Sequence, residues 1–180
     1  MSDLREWLER IGKKIPGYAG YSERERRRDA DKLHREHLAD RLRALKTPLT
    51  EAVREMTDGG RLFEVGPVER VVKKVDQAEN RVRFASYGYS GFFDATRVES
   101  EQLESLYRFD LALVEKFEEV ERLVREFREA GAGGAKASAA EIERAVDELN
   151  RTFDRRHEAI DGYGRGETHG GSGPSLFGAG

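Results

Sequence analysis

The chain contains no cysteine among its 180 residues. Disulfide bonds, thiolate metal sites and cysteine nucleophiles are therefore excluded. Long apolar runs are also missing: the longest, LALV at residues 111–114, is far shorter than the roughly 20 residues that a membrane-spanning helix needs. The N-terminus carries no apolar stretch of the kind found in secretory signals. We therefore expect a soluble cytoplasmic protein.

Charge of one sign is not in excess either. The 32 basic and 35 acidic residues leave a net charge of −3. No overall basic field is present to attract nucleic acid, so nucleic-acid binding is not expected. Charged and hydrophobic residues each make up 37% of the chain, a proportion typical of long amphipathic helices with a narrow apolar stripe.

Apolar residues recur at helical spacing through most of the chain. Between residues 22 and 58 they fall three and four positions apart, at Leu38, Leu42, Leu45, Leu49, Ala52 and Met56. Pro48 lies inside this seam, which keeps its phase, so we expect a kinked helix. A separate helix starting at Thr47-Pro48 is the alternative. Similar spacing predicts helices over residues 2–14, 66–87, 96–130 and 138–161.

Local signals predict where these helices begin. Three capping boxes, each a Ser or Thr followed three residues later by Glu, mark starts at Ser22, Thr96 and Ser138. Gly66-Pro67 is expected to open another helix, with proline at its first position. The alternation RVRF at residues 81–84 would also fit a strand, but the apolar residues before it favour a helix.

Together these elements predict an all-α fold, an elongated antiparallel helical bundle or coiled coil of about five helices. Self-association stays open, because coiled-coil seams can close within one chain or between copies. Composition divides the chain further. We expect an N-terminal amphipathic helix (1–16), a bundle core (17–130), a Gly/Ala linker (131–137), a C-terminal helix (138–161) and a disordered glycine-rich tail (162–180).

Two aromatic loops interrupt the helical pattern. The first aromatic loop, residues 15–21, contains GYAGY, and the second, residues 87–95, contains GYSGF. Their glycines permit the backbone angles that end helices, so the rings could fold back as structural plugs. Alternatively they form a recognition surface for a protein partner, since such residues anchor interfaces. The candidate partner-binding residues are Tyr18, Tyr21, Tyr87, Tyr89, Phe92 and Phe93.

These loops also carry a resemblance. The segment IPGYAGY, followed by a charged helix and later by ASYGYSGFFDA, resembles an uncharacterised bacterial family of small helical proteins. The resemblance spans about residues 8–127. It implies one helical unit and transfers neither an activity nor a catalytic residue to this chain.

One constellation of carboxylates and histidines suggests a metal site. Two Asp-x-x-His pairs lie on predicted helices, and Asp110 falls where an apolar seam residue is due. Pairs at this spacing share a helical face, and ferritin-like proteins use similar pairs to bind iron or manganese. The candidate ligands are Asp31, His34, Asp110, Asp154 and His157. Solvated helix faces, with Asp110 paired to a nearby arginine or setting helix register, are the alternative.

Two terminal segments could make further contacts. The first helix, residues 2–14, could lie on a membrane through Trp7, although docking against the bundle is the favoured interpretation. In the tail, Leu176 and Phe177 form an apolar pair on a glycine tether, the form of a short docking peptide.

The sequence contains neither a phosphate-binding glycine loop with its lysine nor the G-x-S-x-G of a hydrolase. We therefore predict a non-enzymatic interaction or scaffold protein, without a cofactor, that presents its aromatic loops to a protein partner. A carboxylate–histidine metal protein and a peripheral membrane protein are the alternatives.

Overall fold

The computed structural model describes residues 2–21, 23, 26–85, 98–130 and 135–164. Five helices make up nearly all of this part, and it contains no strand. They are α1 (Ser2–Lys14), α2 (Arg27–Asp58), α3 (Leu62–Phe84), α4 (Ser100–Ala130) and α5 (Ala135–Gly164). The predicted all-α bundle of about five helices is therefore confirmed.

The turn between α2 and α3 differs from the prediction. Gly60 adopts a positive φ of 71°, Arg61 N–H donates to Met56 O at 2.8 Å, and Gly60 N–H donates to Thr57 O at 3.0 Å. This is the Schellman arrangement that ends a helix in a tight reversal. The next helix can therefore begin at once, at Leu62, and the predicted start at Gly66-Pro67 is wrong.

The other helix starts also follow local chemistry. At α4 the Glu99 N–H donates to Gln102 Oε1 at 3.0 Å, and Glu99 O accepts the Leu103 N–H at 3.1 Å. Glu99 is thus the capping residue, and the Gln102 side chain, three residues later, accepts its backbone N–H. The predicted capping box gave this second role to Glu99. Thr96, like Ser22 and Glu25 of the first box, lies outside the described residues.

The remaining helix bounds decide between alternatives that the sequence left open. α2 runs through Pro48 without a break, so the alternative of a separate helix from Thr47-Pro48 is wrong. α3 stays helical to Phe84, which excludes the strand suggested by RVRF. α5 begins at Ala135, inside the predicted linker, because Ala135–Ala137 has high helix propensity. From residue 165 onward the predicted tail lies outside the described residues.

The helices pack into two compact units, each with its own core. The first unit comprises residues 1–34, 85–112 and 152–180, and the second comprises residues 35–84 and 113–151. No helix in the described ranges is long and apolar enough to cross a membrane.

The second unit contains parts of α2, α4 and α5 together with all of α3. Its core is the predicted set of seams: the six apolar residues of the α2 seam are all buried, as are Val68, Val71, Val75, Ala78 and Val82 of α3. Ion pairs join neighbouring helices around this core. Lys46 contacts Glu79 at 2.6 Å between α2 and α3, and Lys74 contacts Asp147 at 2.6 Å between α3 and α5.

The first unit packs α1 and the first aromatic loop against the beginning of α2, the beginning of α4 and the end of α5. Its apolar core includes Ile11, Ile15, Leu106, Phe109 and Ile160, all of them buried. Unlike the second unit, it also encloses several charged side chains, which form the candidate site.

Candidate functional site

The buried carboxylate of Asp110 is the centre of a polar cluster in the first unit. Asp110 lies on α4 and has no exposed surface. Its Oδ2 accepts hydrogen bonds from the hydroxyls of Tyr18 at 2.9 Å and Tyr21 at 2.6 Å. Its Oδ1 accepts the Nε–H of Arg156 at 2.6 Å. One carboxylate therefore joins the first aromatic loop, α4 and α5.

Arg156 brings a second carboxylate into the cluster. This fully buried arginine lies on α5, and its Nη2 donates to Asp31 Oδ1 of α2 at 2.8 Å and to the Tyr21 hydroxyl at 3.1 Å. Burial alone would raise the pKa of Asp110, but the charge of Arg156, with further contributions from His34 and the hydrogen bond from Tyr21, lowers it below its usual value. Asp110 is therefore an ionised acceptor at neutral pH.

His34 lies against this ion pair without completing it. The ring is fully buried, and Nδ1 stands 3.6 Å from Asp110 Oδ1. Neither ring nitrogen makes a hydrogen bond within the described part of the chain. Burial lowers the pKa of His34, outweighing the opposite effect of Asp110. The imidazole is thus held neutral beside a carboxylate that Arg156 already neutralises.

Tyr107 seats the end of the first aromatic loop. Its hydroxyl accepts the backbone N–H of Tyr21 at 2.8 Å, and the two rings lie 5.6 Å apart between centroids. Gly20 passes this hydroxyl with a φ of 79°, and a Cβ there would collide with Tyr107 Oη and lie 2.8 Å from Leu8 Cδ1. Only glycine meets both the backbone angle and the close approach.

Burial and the nearby Asp110 charge raise the pKa of both Tyr18 and Tyr21 well above the usual value. The two hydroxyls therefore stay protonated and act as donors. Arg27, which is also buried, donates its Nε–H to Tyr21 O at 2.9 Å. Hydrogen bonds to Arg27 of α2, to Asp110 and Tyr107 of α4 and to Arg156 of α5 therefore hold this loop to three helices.

The structure brings together only part of the proposed metal site. His34 lies beside Asp110, whereas Asp31 is joined to Asp110 through the Arg156 guanidinium, which bridges the two carboxylates. Asp154 is exposed, and the partly exposed His157 has its Nε2 3.6 Å from Asp161. Among the residues described, no three His, Cys, Asp or Glu side chains are grouped to hold a metal. The alternative prediction, that Asp110 pairs with an arginine, is confirmed.

Two of the six proposed partner-binding residues of the aromatic loops, Tyr18 and Tyr21, lie in the described part of the chain. Tyr18 is 8% exposed and Tyr21 is fully buried, so neither ring is open to a partner in this arrangement. Their burial favours the structural interpretation of the first aromatic loop. The other candidates, Tyr87, Tyr89, Phe92, Phe93, Leu176 and Phe177, lie outside the described residues.

Helix α1, the candidate membrane contact, is docked within the first unit. Ile11 on its apolar face is fully buried, and Trp7 is partly covered, with the Arg10 guanidinium 5.1 Å from the ring centroid. Part of the apolar face that would enter a membrane is therefore packed against the rest of the first unit.

Three large apolar side chains remain exposed among the described residues. Leu62 is 65% exposed, Phe63 is 98% exposed and Phe84 is 68% exposed. Leu62 and Phe63 are adjacent in the first turn of α3, and Phe84 is its last residue. All three belong to the second unit.

A groove of about 440 Å³ lies between α4 and α5 in the second unit. Charged side chains dominate its lining, and Arg122 is held there by Glu119 at 2.6 Å and Glu126 at 2.6 Å. Within this groove the charge of Arg122 is thus compensated by two glutamates of its own helix.

No protein-family model, curated protein or solved structure matches this chain. The interpretation of the site therefore depends on its own geometry.

Sequence reasoning missed three members of the cluster: Arg156, Arg27 and Tyr107. Arg156 could have been found, because it stands three residues after Phe153 and four before Ile160, at an inward position of the α5 seam. Arg27 carries no such signal, since it lies in the run SERERRRDADK at residues 22–32, whose mixed charges are typical of a solvated helix face.

Proposed function

We propose that this chain is a non-enzymatic interaction protein that binds a protein partner through a docking point just after the turn between α2 and α3. The docking point consists of the exposed apolar side chains of Leu62 and Phe63. Leu62 and Phe63 are neighbours in the chain, and their side chains are 65% and 98% exposed. Exposed aromatic side chains of this kind anchor protein interfaces when they enter a pocket on the partner. The partner expected here therefore presents an apolar pocket or groove.

The backbone around this point is firmly held, which supports the proposal. The Schellman turn at Gly60 fixes the end of α2, and Glu64 N–H donates to Arg61 O at 3.0 Å as α3 begins. Arg128 of α4 also contacts Glu55 of α2 at 2.9 Å. A side chain on a fixed backbone loses less conformational entropy on binding, so Phe63 is well suited as an anchor.

The closed cluster of the first unit also supports a non-enzymatic function. Asp110 and Arg156 are fully buried and hydrogen-bonded to each other and to neighbouring residues. A reacting group needs access to its substrate, and these groups are directed at their own side-chain neighbours instead. The cluster is therefore best understood as a structural device.

Affinity capture from native lysate tests the proposal with matched baits. One bait is the wild type, the second carries Leu62→Ser and Phe63→Ser, and the third carries Phe84→Ser as the exposed-phenylalanine control. Substitutions at exposed sites shift the free energy of unfolding by only about 0.5 kcal/mol, so all three baits should fold.

We expect a partner that the wild type and the Phe84→Ser bait retain and the Leu62→Ser/Phe63→Ser bait loses. A photo-crosslinking residue at position 63 should then link directly to that partner. Retention of every partner by the Leu62→Ser/Phe63→Ser bait would contradict the proposal.

A further inference from the structure

The attachment of the first aromatic loop suggests a conformational device in the first unit. We propose that α1 and the first aromatic loop form a strap that opens as one body while α2, α4 and α5 stay joined beneath it. When closed, the strap covers the Asp110–Arg156 pair and the ring of His34. This inference concerns the first unit and is independent of the docking point proposed on the second.

Hydrogen bonds of Tyr18 and Tyr21 attach the strap to α4, and Arg27 of α2 and Arg156 of α5 each donate one further hydrogen bond to Tyr21. Tyr18 and Tyr21 donate their hydroxyls to Asp110, and the Tyr21 N–H donates to the Tyr107 hydroxyl. Within the described part of the loop the backbone makes only two turn hydrogen bonds, from Ile15 N to Ile11 O at 2.8 Å and from Tyr18 N to Ile15 O at 3.2 Å. No ladder of backbone bonds ties the loop to a neighbouring helix.

Helix α1 and the loop are expected to move together. α1 has 13 residues, and an isolated helix of that length is marginal in water, so it depends on its docked position. A Cβ on Gly20 would lie 2.8 Å from Leu8 Cδ1, which places this side chain of α1 directly against the loop. Releasing the loop therefore removes a packing surface of α1.

The helices under the strap keep an ion-pair connection of their own. Arg156 of α5 binds Asp110 of α4 at 2.6 Å and Asp31 of α2 at 2.8 Å, and neither contact involves a strap residue. These contacts can persist when the tyrosine hydroxyls leave. This separation is what allows the strap to open below the free energy of complete unfolding.

Opening would change what the first unit presents to its surroundings. The rings of Tyr18 and His34 lie 6.2 Å apart between centroids, so displacement of the loop admits solvent to His34 and to Asp110. The strap thus controls access to charged groups that are closed off in the structure.

Hydrogen–deuterium exchange of the full chain tests the strap directly. In the wild type we expect the amides of residues 8–21 to exchange at least about tenfold faster than those of residues 101–112 in α4, as in local opening. A double variant, Tyr18→Phe with Tyr21→Phe, should speed exchange in residues 8–21 by about tenfold more, because two hydrogen bonds to a charged acceptor are lost. Exchange in α3 should not change.

Two further variants complete the test. Lys74→Met removes an ion pair of the second unit and should leave exchange in residues 8–21 unchanged. Tyr107→Phe removes the acceptor of the Tyr21 amide and replaces the double variant if that variant does not fold. Equal protection of residues 8–21 and of α4 in the wild type would overturn the proposal. So would a folded tyrosine variant with unchanged exchange in the loop.

Discussion

At the scale of single residues, the buried carboxylate of Asp110 joins separate elements of the first unit. Its one carboxylate accepts donors from Tyr18, Tyr21 and Arg156, which come from the first aromatic loop and α5. Burying a charge is unfavourable unless it is paired and fully hydrogen-bonded. Asp110 meets both conditions, so it specifies which elements meet at this point.

The sequence could predict part of this arrangement. Asp110 stands out because it occupies an apolar position of the seam, and pairing with an arginine follows from the cost of an unpaired buried charge. Which arginine, and that two tyrosines share the carboxylate, could not be predicted. Those contacts join residues far apart in the chain, as with Tyr21 and Asp110, and they depend on how the helices pack.

The buried histidine makes the first unit sensitive to acid. Burial lowers the pKa of His34 below its ordinary 6.5, so the unfolded chain binds a proton before the folded protein does. The contribution of neutral His34 to the free energy of unfolding is fully present above pH 6.5. It falls as the pH drops towards the folded pKa, by at most about 1.4 kcal/mol per pH unit. The pKa of Asp110 lies below its ordinary 3.8, so a second loss of stability begins as the pH falls below 3.8.

Urea unfolding followed by circular dichroism between pH 7.5 and pH 4.5 checks this prediction. His34→Leu should flatten the loss of stability below pH 6.5. His37, whose pKa burial also lowers, adds a contribution that this variant retains. An unaltered pH profile for His34→Leu would contradict the prediction.

At the scale of elements, helical periodicity predicted which segments form helices, but not where they begin. The seam residues of α2 and most of those of α3 are buried as expected, since their spacing reflects the helix itself. The ends depend on finer chemistry, such as the positive φ of Gly60 or the Gln102 side chain at Glu99. Several residue types can serve as caps, so the sequence leaves the exact position open.

The end of α3 shows how one side chain from another helix completes an element. Arg35 of α2 is buried, and its Nη1 donates to Val82 O at 3.4 Å and Arg83 O at 3.1 Å. These carbonyls belong to the last turn, where helical acceptors lack partners within the helix. A cation there also interacts favourably with the helix dipole.

We expect Arg35→Met to lower the free energy of unfolding by about 1–3 kcal/mol, because buried carbonyls lose a charged donor. The loss should be local, with faster hydrogen exchange in the last turn of α3 and little change near Leu62. Arg43→Met, which removes an exposed arginine of α2, serves as the control. Equal stabilities of the two variants would exclude a capping role for Arg35.

At the scale of the whole molecule, the two units are stabilised differently. The second unit has an apolar core with ion pairs around it, such as Lys46 with Glu79. The first unit places an ion pair inside its core and closes it with tyrosine hydroxyls. Each unit also suggests its own role: the second presents Leu62 and Phe63, and the first encloses charged groups.

The site was harder to predict than the fold for a physical reason. Sequence spacing placed Asp31 and His34 on one helical face and marked Asp110, and the structure brings these three together. The same carboxylates suit a metal or a guanidinium equally well, and only tertiary packing supplied Arg156. The proposed docking point at Leu62 and Phe63 could not be predicted, because the Schellman turn that precedes them was not recognised.

A double-mutant cycle measures whether Asp110 and Arg156 stabilise the first unit as a pair. The free energies of unfolding of the wild type, Asp110→Asn, Arg156→Met and the double variant are compared by urea denaturation at pH 7.5. We predict that Arg156→Met loses about 3–5 kcal/mol, because it leaves Asp110 as a buried charge without its partner. Asp110→Asn should lose less, because Arg156 keeps its contact with Asp31. The double variant should lose clearly less than the sum of the two. Additive losses, or a single variant as stable as the wild type, would contradict the account.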